Sequence, residues 1–147
     1  MKLENISEEF DIYGMLMSLS NRIQTIGDKE LKGVTLKQDF LLIALEMFDH
    51  NPSLREVGDL IGCSYQNVKR MAVNLEKSGY IRIVNDETDR RKLLLIMTEK
   101  VEELNKSNQD ATIAFMKQLY HDISKEDMKN ALAVLMKMDR NIGGIIE

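Results

Sequence analysis

Between Ser64 and Lys77 the chain reads "SYQNVKRMAVNLEK". Placed at 100° intervals, Val68, Met71, Ala72 and Leu75 gather on one side of a helix. Gln66, Lys69, Arg70, Val73 and Lys77 stand opposite, with Asn67 and Asn74 at the margins and Tyr65 opening the helix. Apart from Val73, the outer face consists of hydrogen-bond donors and acceptors. Gln and Asn pair with the edge of adenine and Arg with that of guanine, while Lys meets phosphate. Ser64 caps the helix and leaves free N–H groups at an end that binds phosphate readily. An isolated amphipathic helix with such a face is more simply a solvated one. Its neighbours must decide.

The second group is "NDETDRRKLLLIMTE", residues 85–99. Seven polar residues, including Arg90 and Arg91, run into a row of strand formers. With "YIRIV" (80–84) before them and "KLLLIM" (92–97) after, they read as the tip of a β-hairpin. The arginines suit a minor groove, where negative potential is high. Asp89 would repel phosphate, so its expected role is to fix the hairpin by bonding Arg91 or a backbone N–H. The plain alternative is a charged loop that discourages edge pairing.

The elements that must position these groups are mostly helical. One proline and a richness in Met and Leu favour helix. A first helix is expected over 7–27, capped by Ser7 and ended by Gly27. A second is expected from Leu36 to about Phe48, with Thr35 as cap and Phe40, Leu41, Ala44, Leu45 and Phe48 inward. Ser53 caps "LREVGDLIG", Gly62 makes a tight turn, and the helix from residue 65 stops at Gly79. Two short helices joined by a glycine turn make a helix-turn-helix, whose second helix is the one that enters a groove. Thr35, Lys37 and Ser53 complete the expected contacts as phosphate ligands. Residues 99–121 and a helix opened by Ser124, with Asp127 three residues on, close the chain.

Composition limits the alternatives. The chain has 147 residues, the size of one domain, with a net charge of −4. Residues 64–98 hold seven Lys or Arg against four Asp or Glu, a balance of +3 that leaves −7 for the rest. An acidic body with one basic segment fits a nucleic-acid binder of small footprint. Cys63 is the single cysteine, so no disulfide and no zinc cluster is expected, in keeping with a reducing cytoplasm. It lies in the turn between the two short helices, where core packing is favoured over redox sensing. "MKLENISEEFD" has no apolar run of a signal peptide, and no stretch approaches a membrane span. His50 and His121 lack a nucleophile or ligand motif, and there is no Walker-type loop. No enzyme, metal or cofactor is expected.

At these residues the sequence resembles the MarR family of winged-helix transcriptional regulators over nearly its whole length. Asp89, Arg90 and Arg91, then "KLLLI", Met97 and Thr98, resemble the family's wing pattern. "GVTLKQDFLLIAL" and "LREVGDLIGCSYQNVKRMAVNLEKSGYI" resemble its second helix and its helix-turn-helix. Val73 departs from a common aspartate, which bears on how the wing is braced. Val101 departs from a usual glycine, which lets the following helix start earlier.

The resemblance implies a mainly α (α+β) fold, with dimerisation helices in 1–34 and 99–147 around a winged helix-turn-helix lobe in 35–98. It implies a homodimer on a near-palindromic operator in double-stranded DNA. It also implies a repressor relieved by a small, often aromatic effector held between the dimer helices and the lobe. The redox-sensing branch keeps its cysteine in the first helix, where this chain has Ile12 and Tyr13. A second class stays open: a winged-helix protein-interaction module without DNA binding, supported by the negative net charge.

Overall fold

The computed structural model describes residues 7–145. The first six residues, part of the segment read for a signal peptide, lie outside them, as do the last two of the expected 99–147 dimerisation segment. Six helices and one hairpin follow in the order α1 (Glu8–Glu30), α2 (Leu36–Leu45), α3 (Leu54–Ile61), α4 (Tyr65–Lys77), β1 (Ile81–Asn85), β2 (Leu93–Met97), α5 (Lys100–Leu119) and α6 (Lys125–Asn141).

The caps expected of Thr35 and Ser53 form as full capping boxes, closed by Gln38 and Glu56 respectively. Ser64 accepts the N–H of Asn67 and starts α4. Ser124 accepts the N–H of Asp127, while the Asp127 carboxylate accepts the Ser124 hydroxyl at 2.6 Å. Gly62 ends α3 in the left-handed region at φ 69°, a conformation that costs glycine nothing.

Two boundaries and one cap differ from the sequence reading. Gly27 does not end α1, which runs on to Glu30; Gly27 is buried inside it, and a Cβ there would sit 2.7 Å from the Leu36 side chain. The glycine is needed for the close approach of α2, not for a turn. Ser7 holds the N-cap position, but its side chain caps no helix N–H. The second helix stops at Leu45, three residues before Phe48, and passes into a turn.

The core lies between α2, α3, α4, the hairpin and the start of α5. Leu41, Leu54, Val57, Val68, Ala72, Leu75, Ile81 and Leu95 are almost completely buried in it. Val101, in the place of the usual glycine, is buried there too and anchors α5. Phe40 departs from its expected inward place: it is half exposed, as is Ile43, and Leu42 is buried instead.

The outer helices are different. No described residue of α6 is buried, and Leu132, Val134 and Leu135 are exposed along it. Phe10, Tyr13 and Met17 are exposed on α1, and Met116 on α5. Apolar faces of all three helices therefore lie outward in the single chain. Among the described residues no helix is long and apolar enough to cross a membrane.

Candidate nucleic-acid interface

The inner face of α4 is fixed by Val68, Ala72 and Leu75, all buried. Helical geometry then turns Gln66, Asn67, Lys69, Arg70, Asn74 and Lys77 outward, and all six are exposed. The Arg70 guanidinium donates to the Asn67 side-chain oxygen at 3.0 Å, one turn back. That bond links two of the side chains expected to read bases. Tyr65 stands at the start of α4, partly exposed.

The end of α4 is tied to the hairpin. Gly79, at φ 81°, reverses the chain, and the Tyr80 N–H returns to the Leu75 carbonyl at 3.0 Å. The Thr98 hydroxyl donates to the Gly79 carbonyl at 2.6 Å, and its N–H to that of Tyr80. Lys100 donates to the Ser78 carbonyl and lies over the Tyr80 ring. The threonine of the wing pattern thus closes the hairpin onto the last turn of the helix.

β1 and β2 pair antiparallel with Ile83 opposite Leu95. Both residues turn their N–H groups away from the pair. That of Leu95 donates to the Pro52 carbonyl, just before α3, and that of Ile83 donates to Glu76 of α4. The sheet is held on one edge by the α3 entry and on the other by α4. Glu76 is a brace that the sequence reading missed.

At the tip, Lys92 donates to the Asp89 carbonyl at 2.9 Å. This closes a turn with Arg90 and Arg91 at its two central positions. One Asp89 oxygen accepts from the Arg91 backbone N–H and from its guanidinium at 3.1 and 3.3 Å, so both of the alternatives expected of the acidic residue are present. Asp86 accepts from the Thr88 hydroxyl and from the N–H groups of Thr88 and Asp89, which hold its carboxyl below the ordinary carboxylate value. The Asn85 amide donates to the Arg90 carbonyl. Arg90 and Arg91 remain exposed on this hydrogen-bonded loop.

Tyr65, Asp89 and Arg91 meet across one open cleft, which also takes in Arg55, Lys92 and Leu93. Helix α4 and the wing therefore share a continuous surface. Arg55 and Lys92 were missed in the sequence, although Arg55 lies only two residues after a recognised cap.

The expected phosphate ligands fare unequally. Thr35 and Lys37 are exposed at the start of α2, and Lys37 borders a cavity on the α1 side. Ser53 is a correction. It is buried, and its hydroxyl both donates to and accepts from Glu56, so its side chain has nothing left for a phosphate. These bonds, those from Ser53 above all, hold the Glu56 carboxyl down at about 2. His50 bridges Asp49 and Glu56 at 2.8 and 3.1 Å, and the two acids raise its pKa, Asp49 the more.

A second, apolar cavity of about 540 Å³ lies between α1 and the lobe. Leu16, Leu19 and Ile23 face Phe40, Ile43 and Met71 across it, and Cys63 lies in its wall, partly buried against the core.

No protein-family model and no curated protein matches the sequence. Solved structures do match the fold. A MarR protein from Peptoclostridium difficile superposes with a TM-score of 0.82 at 19% identity, covering 97% of this chain and 93% of that one. The fold is that of the MarR winged-helix regulators. An organohalide-sensing transcriptional regulator in its 2,4-dichlorophenol-bound form superposes at 0.79 and 16% identity, over 96% of this chain and 85% of that one. The PcaV regulator from Streptomyces coelicolor, in complex with its natural ligand, does so at 0.74 and 16%, over 95% and 96%. Here α3–α4 form the helix-turn-helix and β1–β2 the wing, and exposed residues of the two converge.

Proposed function

We propose that this chain is a MarR-family regulator that binds double-stranded DNA as a homodimer. In this reading α4 enters the major groove, where Gln66, Asn67, Arg70 and Asn74 read base edges. Tyr65, Ser64, Lys69 and Lys77 meet the backbone, with Thr35 and Lys37 as outlying phosphate contacts. Arg90 and Arg91 reach into the adjacent minor groove. The observation that carries this reading is the shared surface of α4 and the wing: a row of polar side chains on a rigid helix, beside two arginines at the centre of a braced turn.

The dimer reading rests on the apolar faces of α1, α5 and α6. A monomer would leave them in water, and such patches mark interaction sites. The terminal helices, 1–34 and 99–147, would then interlock and present two lobes of residues 35–98 to the two halves of a near-palindromic operator. The cavity between α1 and the lobe suits a small apolar effector, since it touches both the dimerisation helix and Met71 of α4. Two neighbours of the same fold are described with a bound ligand. We read the protein as a repressor that such an effector releases.

The net charge of −4 favours a second reading, a winged-helix module that docks on proteins. Fluorescence anisotropy on the DNA upstream of its own gene, against unrelated DNA over a salt series, separates the two. A regulator binds the upstream fragment tightly and loses affinity with salt. Equal, weak binding to both fragments would favour the interaction module.

A further inference from the structure

One side chain sits awkwardly in the wall of the apolar cavity. Asp39 lies in the first turn of α2, half-buried, at the partition between this cavity and a second one against α5. Among the described residues its carboxylate accepts no hydrogen bond and forms no ion pair. Burial raises its pKa, and the nearby Glu46 carboxylate adds to this by repulsion. Lys37, the basic residue of the same wall, is exposed and makes no ion pair within the described chain. A half-buried carboxylate that gives up part of its hydration without gaining a partner is disfavoured, and a second acid nearby adds to this. What would satisfy it is a donor, best a cationic one, carried on an apolar body that fits the Leu16, Leu19, Ile23 and Phe40 walls.

We propose that the cavity selects effectors with an apolar, aromatic-sized body and an amine head that meets Asp39, and that it discriminates against carboxylate effectors. This rests on the reading of the cavity as the effector site and adds the chemical class of its occupant. Ser20 and Gln24 on α1 also line the cavity and offer neutral polar groups to the rest of the molecule.

The test is isothermal titration calorimetry of the full chain with three probes of one shape: naphthylmethylamine, naphthalenemethanol and naphthoate. The amine is expected to bind at least about ten-fold tighter than the carboxylate, the scale of a charge-assisted hydrogen bond. Asp39→Asn is expected to abolish most of that preference. Naphthalenemethanol, which the amide oxygen can still meet, stays within about three-fold of its original affinity and shows that the cavity is intact. Tightest binding of naphthoate, or amine binding indifferent to Asp39→Asn, would overturn the proposed class while leaving the cavity as a ligand site. Failure of all three probes to bind the unaltered protein would overturn the effector-site reading, and the class with it.

Discussion

The Glu76 carboxylate, in the last turn of α4, accepts the backbone N–H of Ile83 in β1 at 2.6 Å. This bond joins the helix proposed to read bases to the outer edge of the wing proposed to flank it. Ile83 turns its N–H away from β2, so without Glu76 the donor would face only water. The wing then keeps its hairpin and the Thr98 and Tyr80 ties but loses its brace along the β1 edge. Glu76→Ala is expected to lower folding stability by about 1 kcal/mol, the net value of such a bond at an exposed site. DNA affinity should fall as well, and the salt dependence of binding should flatten as the wing arginines disengage. Denaturant melts and anisotropy over a salt series check the two parts.

Arg91 presents an almost fully exposed side chain, and its contact with Asp89 is a surface pair of little value to stability. Arg91→Ala should therefore leave the melting temperature nearly unchanged while weakening DNA binding by about 1–3 kcal/mol, as expected of a groove contact. Unchanged affinity in the same titration would remove the wing from the mechanism.

Leu132 on α6 is exposed, on a helix in which no described residue is buried. If α6 packs against a second copy, Leu132→Glu places a charge in that contact, where burial without a partner is costly. Sedimentation velocity should then show monomer where the unaltered chain shows dimer, and operator binding should weaken in parallel. A dimer of unchanged affinity would place the contact elsewhere.

Two groups set a pH signature at the start of α3. The folded pKa of Glu56, at about 2, lies below its ordinary value near 4.5. The carboxylate therefore stabilises the fold above pH 4.5, and the contribution is lost as pH falls through about 2. Glu56→Ala breaks the capping box and should cost about 1 kcal/mol at neutral pH, a deficit that closes in acid. His50 works in the opposite sense. Its folded pKa lies above 6.5, so its contribution is full below pH 6.5 and disappears as pH rises through the raised value. Urea melts of Glu56→Ala and His50→Ala across this range should show opposite trends.

The sequence announced its local elements well because each rests on local chemistry. Thr35, Ser53 and Ser64 cap the helices expected of them, and the spacing of Val68, Ala72 and Leu75 identifies the buried face of α4. The dual bonding of Asp89 was legible for the same reason: an acid two residues before an arginine in a turn has few other partners. What failed depended on contacts between distant segments. Gly27 looked like a helix end because nothing nearby shows that Leu36 must approach it. Ser53 looked like a phosphate ligand because its burial comes from packing beside β2, some forty residues later. Glu76 carried no local signal, since its partner lies in the following strand. Periodicity likewise shows that the faces of α1 and α6 are apolar, but not what covers them.

The central claim is sequence-specific binding by two copies of the α4–wing surface. Selection of bound duplexes from a randomised DNA pool, followed by sequencing, tests it most directly. An enriched inverted repeat with half-sites roughly 10 base pairs apart is expected. Arg70→Ala should relax the preference at one position in each half while leaving the repeat in place. A pool that shows no enriched sequence, with protein that is folded and dimeric, would contradict the claim.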